Sequence, residues 1–169
     1  MTIAQSCDVL SSQTNITGKR AVIEAAAAYG KTFDGGITAA GKTKPANVLV
    51  IGGGVAGLAA AGTAKNMGAT VKGFDVRDAA LDQFESMRCG TIRVLVKEDG
   101  EGGGGYAKEM GKEFQEAQNE LFRKEIPNMD IVITTALIPG RPAPKLIHQG
   151  IVYELYRLYY AVCNSVVNL

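Results

Sequence analysis

An apolar run that leads directly into a glycine-rich turn restricts the fold of this chain more than any other feature. Residues 47–51 read NVLVI, and GGGVAG follows without a break. A short continuous apolar run rich in β-branched residues is typical of a strand that is buried on both faces of a parallel sheet. Residues 55–67 then combine small side chains with helical spacing and end before Gly68, which predicts a helix. Strand, glycine turn and helix are therefore predicted in immediate succession.

Within the turn, Gly52, Gly54 and Gly57 have the spacing G-x-G-x-x-G. In this context the first glycine is expected to permit a tight turn and the second to let the backbone approach a diphosphate. The third is expected to let the helix pack closely on the strand. Val55 opens the helix, whose free N–H groups and positive dipole end would face the phosphates. The alternative is a purely structural turn, since the triplet also occurs by chance in glycine-rich chains.

An acidic residue follows the next predicted strand. That strand is TVKGF at 70–74, and Asp75 comes directly after it, eighteen residues beyond Gly57. A carboxylate in this position is placed to accept hydrogen bonds from the ribose hydroxyls of an adenosine. It would also repel a 2′-phosphate, so NAD(H) is expected to be preferred over NADP(H). Two alternatives stay open: Asp75 as a helix cap or solvated acid, and Arg77 either as the holder of a 2′-phosphate or as a solvated charge.

Strand and helix patterns alternate along the rest of the chain. Further helices are predicted over 11–28, 78–87 and 106–124, and further strands over 91–96 and 129–136. This order requires crossover connections, and it predicts an α/β fold with a Rossmann-like, doubly wound parallel sheet that is only partly present. By contrast, residues 34–46 combine three glycines with Pro45 and are expected to form a connector without helix or strand.

Two of the predicted helices carry residues at three- to four-residue spacing that indicate the face packed on the core. These stripes are Ile16, Arg20, Ile23 and Ala27 in the first helix and Met110, Phe114, Ala117 and Leu121 in the last. Tyr29 and Gly30 are expected to end the first helix.

Composition excludes several classes of protein. The 169 residues suffice for one ordinary domain, and a complete two-domain enzyme is not expected. The formal net charge is +1, so the overall charge of the chain does not favour binding to nucleic acid or to a membrane surface. Cys7, Cys89 and Cys163 lack the spacing of a disulfide framework or a zinc site, so reduced thiols and no metal are expected. No secretory signal is expected, because residues 1–10 carry no cation before an apolar run. No membrane span is expected either, because the most apolar stretch, 151–169, contains charged and amide side chains.

Three longer motifs carry a family resemblance. They are ITAAGKTKPANVLVIGGGVAGLAAAGTAKNMGATVKGFDVR at 37–77, GGYAKEMGKEF at 104–114 and TTALIPGRPAPKLI at 134–147. Together they resemble the NAD(H)-binding domain of the proton-translocating NAD(P) transhydrogenase alpha subunit, over roughly residues 2–147. Alanine dehydrogenase is the related family with the same architecture, but the three signatures look like transhydrogenase.

The resemblance implies hydride transfer between NADH, bound by this chain, and NADP(H), held on a partner domain. In the complete enzyme this transfer would be coupled to proton translocation through a membrane domain. That domain would hold the otherwise soluble chain at the cytoplasmic or mitochondrial matrix side. A homodimer is also implied, with no nucleic-acid partner, and the isolated chain is not expected to be competent alone. Two other functions stay open: an oxidoreductase of the alanine dehydrogenase type and a non-catalytic NAD-binding fragment.

The resemblance also assigns catalytic positions. Gln5, Asp8 and Ser11 match three residues of the loop that orients the nicotinamide and its ribose, whereas the arginine of that loop would fall before Met1. Such a loop suits a reaction whose rate depends on geometry at the transferring carbon. Without the resemblance, these three residues would be ordinary cap and surface residues.

Further positions are assigned to cofactor binding in the same way. Residues 106–110 match a mobile loop that closes over the nucleotide, and the glycines at 102–105 would serve as its hinge. Of this segment, Gly105, Tyr106, Ala107 and Met110 are assigned to cofactor binding, and a solvent-exposed linker is the alternative. Ala136 and Leu137 match the segment that lies against the nucleotide. Val76 stands where the family usually has threonine, which removes a hydroxyl near the ribose.

Outside the matched motifs the chain departs from the family. The predicted organisation is an N-terminal helical segment and connector at 1–46, an incomplete Rossmann NAD-binding domain at 47–148 and a divergent tail at 149–169. The tail is expected to form an apolar helix or an unpaired strand. No general acid or base is evident, and His148, the sole histidine, is expected to be structural or solvated.

Overall fold

A computed structural model describes residues 7–95, 111–136, 146–147, 151 and 162–164. The helices are α1 (Val9–Tyr29), α2 (Val55–Asn66), α3 (Asp78–Ser86) and α4 (Lys112–Glu125), and a 3₁₀ turn covers Ile126–Asn128. The strands are β1 (Gly36–Thr38), β2 (Gly41–Thr43), β3 (Asn47–Ile51), β4 (Thr70–Phe74), β5 (Gly90–Ile92), β6 (Ile131–Thr134) and β7 (Val162–Asn164).

Five strands form one parallel sheet in the order β5-β4-β3-β6-β7. β3 lies in the centre, where Val50 faces Gly73 of β4 on one side and Ile133 of β6 on the other. The chain moves outward from β3 through β4 to β5 and then returns to the other side of β3, so the strand order reverses between β3 and β6. This order confirms the predicted Rossmann-like α/β fold, and its switch point lies at the carboxyl ends of β3 and β6, where open α/β sheets form their ligand crevice.

Alternate residues of β3 supply the two faces of the core. Val48 and Val50 pack with α1 and α2, whereas Leu49 and Ile51 pack with residues of α4 and β6. Each fully buried aliphatic side chain of this kind contributes about 1.5–3 kcal/mol to folding. The sheet is therefore covered by helices on both faces, as a doubly wound fold requires.

The predicted bounds are accurate for β3 and β4 and too wide for β5 and β6. β3 and β4 cover the predicted ranges 47–51 and 70–74. β6 is shorter than the predicted 129–136, and β5 ends at Ile92 rather than continuing to 96. Leu95 is 97% exposed, so the apolar run after Ile92 has left the sheet.

The helix α1 ends as predicted and begins two residues before the predicted range, but a different face is buried. Gly30 ends it in the left-handed conformation, with φ of +66°. Ile16 and Ile23, which were expected on the core face, are 59% and 49% exposed, and that expectation was wrong. The buried residues are small or slender for the most part: Gly18, Ala21, Val22, Ala25 and Tyr29.

Close helix packing explains this choice of face. A Cβ at Gly18 would lie 2.1 Å from the carbonyl oxygen of Ala56 in α2. The buried positions of α2 are themselves glycine and alanine, so the two backbones approach one another closely. Large side chains such as Ile16 and Ile23 would separate the helices, and dense packing therefore selects the small-residue face.

Residues 34–46 contain a hairpin rather than the expected connector without strands. β1 and β2 pair antiparallel, with Thr38 opposite Gly41. Gly41 has φ of +137°, a conformation that glycine adopts without the steric cost of a side chain. Ile37 is 80% exposed. The glycines thus provide the reversal that an antiparallel pair needs.

The buried stripe of α4 is displaced from the predicted one. Phe114 is buried as expected, but the other core residues are Gln118 and Phe122, while Ala117 and Leu121 are half-buried. Phe122 contacts Phe74 of β4 edge-to-face, with ring centroids 4.8 Å apart. This aromatic pair determines which side of α4 faces the sheet. Met110 lies outside the described residues.

The tail adds a strand to the sheet. β7 pairs in parallel with β6, with Val162 opposite Val132, so the expectation of an unpaired strand was wrong for 162–164. An edge strand offers a row of unpaired backbone groups, and an apolar segment that reaches it gains hydrogen bonds. Within the described ranges, no helix is long and apolar enough to cross a bilayer.

Candidate functional site

The glycine turn joins the end of β3 to the start of α2. Gly52 has φ of +107°, and its N–H donates to the carbonyl oxygen of Phe74 over 2.8 Å. A Cβ at Gly57 would lie 1.7 Å from the carbonyl oxygen of Gly52. These distances confirm the tight turn predicted at Gly52 and the close helix packing predicted at Gly57. A side chain at Gly57 would require α2 to move, whereas a Cβ at Gly52 would lie 2.7 Å from Oγ1 of Thr135 on a backbone conformation that side chains rarely allow.

The N-terminus of α2 has no side-chain cap. Gly54 is the N-cap residue, no side chain caps the helix, and the first intrahelical bond runs from Leu58 N–H to Gly54 O. The N–H groups of Val55, Ala56 and Gly57 precede that bond, so they have no carbonyl one turn back in the helix. A Cβ at Gly54 would meet nothing within 4 Å. The space before the helix end therefore fits an anion such as a diphosphate.

The carboxylate of Asp75 is bonded directly to the turn. Its Oδ2 accepts a 2.6 Å hydrogen bond from the N–H of Gly53, although the two residues lie 22 positions apart in the sequence. The Asp75 side chain is only 7% exposed, so the alternative of a solvated acid is wrong. The structure brings together the glycine turn and the acid, as the dinucleotide hypothesis requires.

Arg77 lies against the same carboxylate. Its backbone N–H donates to Oδ1 of Asp75 over 2.8 Å, its Nε donates to Oδ1 over 3.0 Å, and its Nη2 donates to Oδ2 over 3.1 Å. The Arg77 side chain is 21% exposed. Arg77 is therefore not the solvated charge that the sequence left open; it forms a bidentate ion pair with Asp75.

Two residues of the site were missed from the sequence. A Cβ at Gly53 would lie 2.7 Å from Cβ of Ala80 and 3.2 Å from Cε2 of Phe84, so the middle glycine of the GGG run lets α3 approach. Thr135 follows β6, and its hydroxyl lies 3.3 Å from the carbonyl oxygen of Ile51 and 3.1 Å from that of Gly52. Thr135 thus joins the ends of β3 and β6 across the crevice. The sequence features that could have identified these two residues are the full GGG run and a hydroxyl residue at the end of a strand.

Asp8 and Ser11 lie at the N-terminus of α1. The Asp8 carboxylate accepts hydrogen bonds from the N–H and the hydroxyl of Ser11, and these bonds lower the pKa of Asp8. The pair has the geometry of an N-cap, which is the ordinary reading that the sequence left open. Gln5 lies outside the described residues.

The other expected cofactor contacts are distributed around the crevice or lie beyond the described chain. Val55 is 41% exposed at the helix end, Val76 is half-buried against the apolar cluster around Ile51, and Ala136 is half-buried after β6. The expected residues that lie outside the described ranges are Gly105, Tyr106, Ala107, Met110 and Leu137. In the portion of the chain that the structure describes, no group of three or more histidine, cysteine or acidic side chains could hold a metal ion.

Comparison with known proteins places this geometry in a family. Residues 21–157 match the model described as the alanine dehydrogenase/PNT C-terminal domain. The chain is 52% identical over 149 residues to the NAD(P) transhydrogenase subunit alpha of Haemophilus influenzae, covering 88% of this chain and 29% of that protein. It is 53% identical over 156 residues to the NAD(P) transhydrogenase subunit alpha of Cereibacter sphaeroides, covering 91% and 30%. The chain therefore spans less than half the length of these relatives.

Solved structures give the same result. The crystal structure of transhydrogenase from Sinorhizobium meliloti matches with a TM-score of 0.78 and 42% identity, over 92% of this chain and 40% of that one. An L-alanine dehydrogenase matches with a TM-score of 0.63 and 24% identity, over 86% and 36%, which shows a shared fold. The resemblance seen in the sequence motifs is confirmed.

Proposed function

Because the chain belongs to the alanine dehydrogenase/PNT C-terminal domain family, we propose that it is the NAD(H)-binding portion of an NAD(P) transhydrogenase. The observation that carries this proposal is the bond from Gly53 N–H to the buried Asp75 carboxylate, beside the uncapped N-terminus of α2. A dinucleotide presents a diphosphate and an adenosine ribose at the same relative positions as this helix end and this acid.

The choice of NAD(H) over NADP(H) rests on the charge of Asp75. A 2′-phosphate on the adenosine ribose would lie against a buried carboxylate, and such like-charge juxtaposition is costly. The ribose hydroxyls of NAD(H), in contrast, can donate hydrogen bonds to it. The nearby Arg77 reduces this difference because a guanidinium also attracts phosphate.

When bound, NADH supplies the hydride. In this proposal the chain's own residues hold the diphosphate at α2 and the ribose at Asp75, and Gln5, Asp8 and Ser11 orient the nicotinamide end. The partner is an NADP(H)-binding domain, and a membrane domain couples the transfer to proton translocation. The complete enzyme is a homodimer on the cytoplasmic or mitochondrial matrix side of its membrane. The names of the relatives, NAD(P) transhydrogenase subunit alpha, support the transhydrogenase assignment and the existence of partner subunits.

The binding half of the proposal is tested by titration calorimetry with NADH and NADPH. We expect the wild-type chain to bind NADH more tightly, and Asp75→Ala to narrow that preference by about tenfold, since a buried charge interaction is removed. Asp82→Ala is the matched control, because Asp82 is an exposed acid of α3 that pairs with Arg93. Equal affinities in the wild-type chain, or an unchanged ratio in Asp75→Ala, would contradict the role of Asp75.

The catalytic half is tested by adding the NADP(H)-binding domain of a transhydrogenase, NADPH and an oxidised NAD analogue to the chain. Reduction of the analogue supports the transhydrogenase assignment. Turnover only with alanine would favour an alanine dehydrogenase activity instead. Binding without turnover would favour a non-catalytic NAD-binding fragment.

A further inference from the structure

The carboxylate of Asp75 has no acceptor position left. Oδ1 accepts from the backbone N–H and the Nε of Arg77, and Oδ2 accepts from Gly53 N–H and the Nη2 of Arg77. A carboxylate offers about four lone-pair sites. Two of the donors are backbone amides, and the other two belong to one guanidinium.

The two kinds of donor differ in their freedom to move. Gly53 N–H is fixed by the turn, where a Cβ at Gly53 would already meet Ala80 and Phe84. The backbone N–H of Arg77 is fixed because Arg77 is the N-cap residue of α3. The guanidinium, by contrast, lies at the end of a flexible side chain that retains some exposure to solvent. Any new donor to Asp75 must therefore replace the guanidinium rather than the amides.

A ribose diol is such a donor. Its two hydroxyls bind a carboxylate by donating hydrogen bonds, and they need the lone pairs that Nε and Nη2 of Arg77 occupy. We propose that Arg77 is a latch on the ribose subsite, which competes with the adenosine ribose for Asp75 and swings away when the dinucleotide binds. This proposal rests on the proposed function and adds a specificity-determining residue to it.

As a latch, the Arg77 side chain changes the affinities for NADH and NADPH in opposite directions. For NADH, displacing the guanidinium breaks a bidentate, largely buried ion pair, so Arg77 weakens binding. For NADPH, the displaced guanidinium stays close to the 2′-phosphate, so Arg77 offsets the repulsion from Asp75. Removal of the Arg77 side chain should therefore strengthen the binding of NADH and weaken the binding of NADPH.

The test compares the wild-type chain with Arg77→Ala, which keeps the backbone N–H bond to Asp75. By calorimetry we expect NADH to bind about three- to tenfold more tightly to Arg77→Ala and NADPH about three- to tenfold more weakly, the scale of one charge-assisted pair. Arg77→Lys should fall between the two, because lysine keeps the charge but loses the fork. Arg93→Ala, which removes exposed ion pairs to Asp78 and Glu85, is the control and should change neither affinity.

Each other outcome rejects the latch in a distinguishable way. Weaker binding of both nucleotides to Arg77→Ala would mean that Arg77 has a structural role. If Arg77→Ala binds NADH as the wild-type chain does but binds NADPH more weakly, Arg77 contacts the 2′-phosphate without competing with the ribose for Asp75. The proposed function would then stand. Absence of NADH binding to every variant would reject the proposed function and the latch together. If Arg77→Ala does not fold by circular dichroism, Arg77→Gln, which removes the charge but retains the first part of the side chain, replaces it in the same comparison.

Discussion

The N-termini of α1 and α2 are completed in opposite ways. At α1 the Asp8 carboxylate accepts hydrogen bonds from the N–H and hydroxyl of Ser11. At α2 the N-cap residue is Gly54, which has no side chain, and the carboxylate of Asp75 binds Gly53 in the turn instead. An anion would be repelled by a carboxylate at the first helix end, but would meet backbone N–H groups at the second. A helix N-terminus can thus serve as an anion site where the chain omits its own cap.

Among the variants that test this difference between the two helix ends, Gly57→Ala is expected to have the largest effect. A Cβ at Gly57 would lie 1.7 Å from the carbonyl oxygen of Gly52, so α2 must move away from β3 and the helix end must leave its position. We expect the free energy of unfolding to fall by about 3 kcal/mol or more, together with loss of NADH binding. Denaturant unfolding measures the first effect and calorimetry the second. The control is Gly36→Ala, where a Cβ meets nothing within 4 Å; a similar loss in that variant would reject the explanation.

Gly54→Asp gives α2 the kind of N-cap that α1 has. The backbone at Gly54 has φ of −82° and open space for a side chain, so aspartate fits and caps the helix. We expect stability to be retained and NADH affinity to fall at least about tenfold, because a carboxylate would repel the diphosphate. Calorimetry and thermal unfolding are measured on the same sample. Gly54→Ala separates added volume from added charge, and retention of full affinity in Gly54→Asp would remove the helix end from the site.

The smallest effect is expected at the capped helix. The pKa of Asp8 is lowered by its bonds to Ser11, so the cap contributes fully above the unfolded-state pKa and is lost as pH falls through the folded-state pKa. Wild-type and Asp8→Ala chains should therefore differ in Tm at neutral pH and converge in acid, below the ordinary value of 3.8. Thermal unfolding across this pH range measures the difference. A pH-independent difference would show that the cap does not depend on the charge of Asp8.

Much of the site could be predicted because its signals are local. The apolar runs at 47–51 and 70–74 define β3 and β4, and the spacing of Gly52 and Gly57 predicts the turn and the close packing that the structure has. These features depend on residues that are adjacent in sequence or on backbone conformations that glycine allows. The longer family motifs independently predicted the same dinucleotide-binding fold.

Features that depend on distant partners could not be predicted. The spacing of Ile16 and Ile23 suggested a core face for α1, but the small residues around Gly18 face α2 because the two backbones approach closely. The hairpin in 34–46 was missed because a glycine-rich segment was interpreted only as a breaker of strands. The tail was expected to form an apolar helix or an unpaired strand, and the pairing of 162–164 with β6 could not be predicted because the sequence does not show that β6 has a free edge.

The sequence by itself determined that this chain has a buried strand, a glycine turn, a helix and an acid after the next strand, because each of these is written in neighbouring residues. Only the tertiary structure decided what the acid does before any ligand arrives. Gly53 and Asp75 meet because β3 and β4 pair side by side, and the Arg77 guanidinium folds back on the same carboxylate. The bond from Gly53 to Asp75 forms because strand pairing brings atoms that are 22 residues apart within reach. The other three bonds to Asp75 come from Arg77, two residues further on, and all four together fill the acceptor positions of the carboxylate.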